Sequence, residues 1–150
     1  MAGNLDEFLE LFQQQIYEEA KETYGVGVFD RWLSPKFFGK MPDATASARV
    51  TGSCGETMEI YLRIEGDIIT KTSFYTDGCG ASVACGSVAA ELACNKAVEE
   101  AALVGSDTIL EVLGQKLPQE HEHCALLAAE TLQTAVHNHM IGQQKHKKDP

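Results

Sequence analysis

Residues 57–65 read TMEIYLRIE, and no other stretch narrows the fold as much. Met58, Ile60, Leu62 and Ile64 alternate with Glu59, Tyr61, Arg63 and Glu65. Period two of this kind marks a half-buried antiparallel strand. Glu65, Gly66 and Asp67 follow and close a hairpin. The partner's register can be argued from the pleat. A two-residue Gly66-Asp67 loop sets Lys71 and Ser73 opposite the apolar face, whereas a three-residue loop sets Ile68, Thr70, Thr72 and Phe74 there. A one-residue slip turns every side chain to the other face, so the three-residue loop is expected. Three strands are placed near 46–53, 57–65 and 68–76.

Either side of the sheet the period lengthens. Leu5, Phe8, Leu9, Phe12 and Ile16 form one stripe of an amphipathic helix, about 5–24, with Asn4 as its cap and Glu7 completing a capping box. The stripe is expected to dock on the core. Residues 25–45 are rich in Gly, Pro and aromatics and read as an irregular connector, with Trp32, Phe37 and Phe38 as local packing. From Gly80 the pattern is helical, with a short helix from Ser106 or Asp107 to Leu113. A last helix from near His121 carries Ala125, Ala128, Ala129, Leu132 and Val136 on one face. The helical part spans about 80–142, and a basic tail, 143–150, is expected to be frayed and solvated. The expected architecture is a single α+β domain over 1–150: a three-stranded antiparallel meander with an N-terminal helix and several C-terminal helices packed against it.

Charge and leader signals exclude some functions. Twenty-two acids against 12 bases give a net charge of −10, which repels nucleic acid and anionic membranes. The start, MAGNLDEFLE, lacks the basic and apolar parts of a secretory signal, and no apolar run is long enough for a membrane span. A cytoplasmic setting with reduced thiols is expected. Five cysteines cannot all pair within the chain, so metal binding or thiol chemistry is the better account of some.

In a meander the end of strand one and the end of strand three share an edge. Cys54 follows the first and Cys79 the third, each with glycines nearby: Gly52 and Gly55, Gly78 and Gly80. Glycine permits close approach of a ligand. Cys79 stands at a helix start, where N–H groups and the dipole favour a thiolate. His123 and Cys124 open the last helix. If that end packs at the same edge, three thiols and an imidazole meet, a donor set suited to zinc or iron–sulfur chemistry. No C-x-x-C is present, and the glycine spacing after Gly78 does not fit a dinucleotide fingerprint. Cys85 lies about 240° around the helix from Cys79. Cys85 and the more distant Cys94 are assigned to packing.

VTGSCGETMEI around Cys54, YTDGCGASVACGS around Cys79, HCALLAAETL around Cys124 and the preceding WLSPKFFGKM resemble the U-type iron–sulfur cluster scaffold family, IscU and the N-terminal domain of NifU. The resemblance runs from about residue 15 to 140. It implies a scaffold that is not an enzyme, on which a transient [2Fe–2S] cluster is built and passed on. Cys54, Cys79 and Cys124 would be cluster or iron ligands, with His123 a further candidate. The family usually has aspartate two residues after the first cysteine; this chain has Glu56, which keeps the carboxylate, and the resemblance implies it as a further metal or cluster ligand. The implied partners are a cysteine desulfurase, an iron donor and apo-acceptor proteins, and Zn2+ is expected to bind the isolated protein. At 117–121 the chain reads LPQEH. Only Leu117 and Pro118 match the family's LPPVK, so dependence on a specialised DnaK-type chaperone is not carried over. His121 stands where the family has a lysine that can compete for metal.

Other functions compete with this one. A zinc-binding structural or regulatory module would use the same four N/S/O ligands. A persulfide-accepting sulfurtransferase fits the thiols. A cysteine hydrolase using Cys124 and His123 fits less well, because adjacent helical residues point about 100° apart.

Overall fold

The computed structural model describes residues 2–24, 33–53, 55–114 and 122–148. Trp32, Cys54, Leu117, Pro118 and His121 lie outside the described residues. The elements are α1 (Ala2–Tyr24), β1 (Ala46–Thr51), β2 (Thr57–Glu65), β3 (Ile68–Thr76), α2 (Gly80–Ala93), α3 (Val98–Ala101), α4 (Ser106–Leu113) and α5 (Glu122–Lys148).

The three strands form one antiparallel sheet in the order β1-β2-β3. Ala48 pairs with Ile60 and Ile60 with Phe74, so apolar residues of all three strands line up on one face. Met58, Ile60, Leu62 and Phe74 are fully buried there. Helix α2 lies against β3 and α5 against β1 and β2. Thr72 Oγ1 donates to Ala90 O at 2.8 Å, which ties α2 to the sheet from inside the core.

The hairpin corrects the expected loop. Glu65 pairs directly with Ile68, leaving a two-residue turn of Gly66 and Asp67 with φ of 59° and 64°. Two positive φ values define the type I′ turn, whose twist matches the flanking strands. A shift between Arg63 and Ile64 then repairs the pattern. Ile64 pairs with Ile69, Arg63 pairs with Lys71, and Thr70 is the extra residue of a bulge. Ile69 is therefore buried while Ile68 is 42% exposed, and Thr72, Phe74 and Thr76 return to the core face.

Residues 33–45 are less irregular than expected. Phe74 N donates to Phe37 O at 2.9 Å and Gly39 N to Phe74 O at 2.8 Å, so this segment covers the free edge of β3. Phe38 packs edge-on to Phe74 at 5.4 Å, the local packing expected of it.

Helix α2 stops at Ala93, and Asn95 takes a positive φ of 67°. Cys94 thus caps the helix rather than lying within it. Helix α4 ends at Gly114, with φ 82°, as an αL cap. Helix α5 runs to Lys148, through the stretch expected to be a frayed tail.

Helix α1 starts at Ala2, ahead of the expected cap Asn4. Its stripe does not dock on the core: Leu5, Phe8, Leu9, Phe12 and Ile16 are all exposed.

Candidate metal centre

The β1–β2 turn and the end of β3 share one edge of the sheet, as the meander requires. Thr51 pairs with Thr57 and Met58 with Thr76. Gly52 N donates to Glu56 O at 2.7 Å and Gly55 N to Gly52 O at 3.0 Å, which closes the link from β1 to β2. Gly55 has φ 84°, a left-handed conformation that glycine takes without strain. Thr57 N donates to Asp77 Oδ1 at 2.8 Å, and Thr76 Oγ1 donates to Thr57 O at 2.8 Å. These bonds fasten the start of α2 beside Glu56, with Cys79 as the helix N-cap.

The start of α5 enters the same edge. The Cβ position of Gly52 lies 3.2 Å from Leu127 Cδ2, so the turn and the helix meet closely there. His123 Nε2 lies 3.2 Å from Glu56 Oε1 and 3.8 Å from Cys124 Sγ. Cys124 Sγ lies 3.7 Å from Glu56 Oε1. Neighbours in sequence, His123 and Cys124 were expected to point apart. The long imidazole reaches back, and both converge on one carboxylate oxygen. Ligand atoms of Glu56, His123 and Cys124 all lie within 4.8 Å of one another. The Glu56 side chain is only 11% exposed, so it is not a solvated turn carboxylate.

Ser82 joins Cys79 to this group. Its hydroxyl donates to Glu56 Oε2 at 2.5 Å and lies 3.3 Å from Cys124 Sγ and 3.8 Å from Cys79 Sγ. Cys79 is exposed and Cys124 buried. The Cys79 pKa is lowered to about 4, first by a hydrogen bond with Cys124, then by the Ser82 and Ala81 N–H groups, against the effect of burial. Cys124 is pushed up by the same bond, by burial and by the negative charges of Cys79 and Glu56. The two sulfurs share one proton, with the negative charge on the exposed one at the helix N-terminus.

Of the five residues singled out by sequence, Cys79, Cys124, His123 and Glu56 meet here, and Cys54 lies outside the described residues. Cys85 is buried in the core, its thiol pushed up to about 12 by burial first. Cys94 lies at the opposite end of α2 from Cys79. Sequence reasoning missed Ser82. The available signal was its spacing: three residues after Cys79 on a helix puts both on one face.

The NifU-like N terminal domain family matches residues 23–147. The chain belongs to that family. It is 38% identical over 114 residues to the iron-sulfur cluster assembly scaffold protein IscU 1 of Archaeoglobus fulgidus, covering 75% of this chain and 74% of that one. It is 32% identical over 131 residues to the iron-sulfur cluster assembly scaffold protein IscU of Azotobacter vinelandii, covering 84% of this chain and 97% of that one. The crystal structure of the N-terminal part of a nitrogen-fixing NifU-like protein from Brucella abortus superposes with a TM-score of 0.63 over 81% of this chain and 96% of that chain. At 16% identity this shows a shared fold. Among the described residues no helix is long and apolar enough to cross a membrane.

Proposed function

We propose that this chain is a scaffold on which an iron–sulfur cluster of the [2Fe–2S] type is assembled and handed to apo-acceptor proteins. A cysteine desulfurase supplies the sulfur and a separate donor the iron, in the cytoplasm, with no turnover by the scaffold itself. The observation that carries this is the meeting of Cys79, Cys124, His123 and Glu56 at one sheet edge, in a chain whose relatives are named as scaffolds. Soft thiolates and an imidazole suit iron–sulfur ligation, and a carboxylate suits incoming Fe2+. The thiolate at Cys79 is the form that ligates iron and attacks sulfur. Cys54, beside the Glu56 turn in sequence, supplies the third thiolate. Ligands on loop and helix-start positions, rather than in a closed cage, suit a cargo that must leave.

A zinc module is the second reading. The close set of Glu56, His123 and Cys124 with Cys79 offers the four N/O/S ligands zinc prefers. Anaerobic incubation with ferric iron and sulfide separates the two. The scaffold reading expects a visible charge-transfer spectrum and recovery of the cluster in an apo-ferredoxin. Cys54→Ala, Cys79→Ala and Cys124→Ala should each abolish the spectrum and Cys94→Ala should leave it. A parent protein that takes up Zn2+ but never forms or transfers a cluster would establish the zinc module instead.

A further inference from the structure

Ser82 has a single hydroxyl hydrogen and is surrounded by three acceptors. It is fully buried. The shortest contact, 2.5 Å, is to Glu56 Oε2, against 3.3 Å to Cys124 Sγ and 3.8 Å to Cys79 Sγ. Hydrogen bonds to a carboxylate are the shorter and stronger kind, so the hydrogen belongs to Glu56. That bond occupies one carboxylate oxygen only. The other, Oε1, is left facing His123 Nε2 at 3.2 Å and Cys124 Sγ at 3.7 Å.

The surroundings are shaped to this arrangement. A Cβ on Gly78 would collide with Glu56 Oε2 and would lie 2.7 Å from Ser82 Oγ. The absence of a side chain at 78 is what lets the carboxylate reach α2. The site therefore holds one oxygen of Glu56 against a helix and presents the other to the imidazole and the thiol.

We propose that Ser82 is a positioning residue: it fixes Glu56 so that Oε1 alone is offered to a divalent metal ion beside His123 and Cys124. Ser82 itself does not touch the metal. The inference rests on the metal-binding part of the function proposed above and not on cluster assembly. Hydrogen bonds that orient a ligating carboxylate typically change metal affinity about 10–100-fold when removed.

The test is a double-mutant cycle read by Zn2+ affinity, in competition with a chromophoric chelator, and by the visible spectrum of bound Co2+. Ser82→Ala in the parent should weaken Zn2+ binding about 10-fold or more. Glu56→Ala should weaken it at least as much, and adding Ser82→Ala to Glu56→Ala should change nothing further. The Co2+ spectrum of Ser82→Ala should keep its thiolate-to-metal charge-transfer intensity, because the thiols stay, while its ligand-field bands shift. Alanine is the better helix former, so circular dichroism of Ser82→Ala should match the parent, while its melting temperature should fall because the buried carboxylate loses a donor. If Ser82→Ala weakens Zn2+ equally with and without Glu56, the hydroxyl acts on the thiols and the proposal is wrong. If Ser82→Ala leaves affinity unchanged in the parent, it is also wrong. The cycle needs neither iron nor sulfide, so failed cluster assembly with an intact coupling would overturn the scaffold reading and leave Ser82's role standing.

Discussion

Cys79 caps α2 with its sulfur exposed, and Cys85 lies 1.7 turns further on, completely buried. Their pKa values move in opposite directions, to about 4 for Cys79 and about 12 for Cys85. The hydrogen bond with Cys124 favours the charged form of the first, and burial penalises that of the second. Alkylation of the metal-free protein should show this. Cys79 is already a thiolate at any pH well above about 4, so its rate with iodoacetamide should change little between about pH 6 and about pH 8. An ordinary thiol would gain roughly 75-fold over that range. Peptide mapping by mass spectrometry should find Cys85 unmodified until the protein unfolds. A steep pH dependence at Cys79 would refute the shared proton. Helical phase in the sequence sets Cys79 and Cys85 on different faces, and the structure leaves the first exposed and the second buried. Of Ser82 the sequence showed only its spacing, three residues after Cys79, and not what that helix face meets. Gly78 was legible as a site of close approach, but the group that approaches is the chain's own Glu56 carboxylate.

At the scale of elements, β2 and β3 fall where they were expected, β1 ends at Thr51 rather than at 53, and the β2–β3 connection was misread. Alternation in β2 fixes its own faces, but not how many residues of β3 are used in turning. The I′ turn and the Thr70 bulge together bring Thr72 and Phe74 where a longer loop would have placed them, by another route. Two glycines within helices show how packing decides against propensity. A Cβ on Gly86 would lie 2.5 Å from Phe74 Cδ2 and 2.8 Å from Cε2, against a ring that is itself fully buried. A Cβ on Gly142 in α5 would meet nothing within 4 Å. Replacing a helical glycine with alanine gains about 0.8–1.0 kcal/mol in propensity. Overpacking a core costs typically 1–3 kcal/mol. Gly86→Ala should therefore be net destabilising, by up to about 2 kcal/mol, while Gly142→Ala should gain up to about 1 kcal/mol. Urea denaturation followed by circular dichroism would show both. Equal stabilisation by the two would mean that α2 can slide away from Phe74 freely.

Taken whole, the molecule buries one face of a small sheet under α2 and α5 and gathers its reactive groups at one end of that sheet. The α+β class was legible because the period changes from two to 3.6 at Gly80. That the α1 stripe stays exposed was not, since an apolar stripe states a need for cover and not whether the chain's own core supplies it. The function proposed for the whole ends in handover, and on that proposal Glu56 is the residue whose removal should change it. Its carboxylate is a hard oxygen donor beside soft sulfur. It suits the capture of Fe2+ or Zn2+, while thiolates dominate once sulfide has arrived. An oxygen ligand held by one hydrogen bond is also the one most easily exchanged when an acceptor's thiolate approaches. Removing it should act in two directions. Glu56→Ala should bind free divalent metal more weakly, yet keep an assembled cluster at least as long as the parent and transfer it more slowly. The measurement is the rate of holo-ferredoxin formation from apo-ferredoxin under anaerobic conditions, parent against Glu56→Ala, each starting from fully loaded scaffold. Faster transfer from the variant would show that Glu56 retains the cluster. Unchanged transfer together with unchanged metal affinity would reduce the carboxylate to a packing partner of Ser82 at the sheet edge.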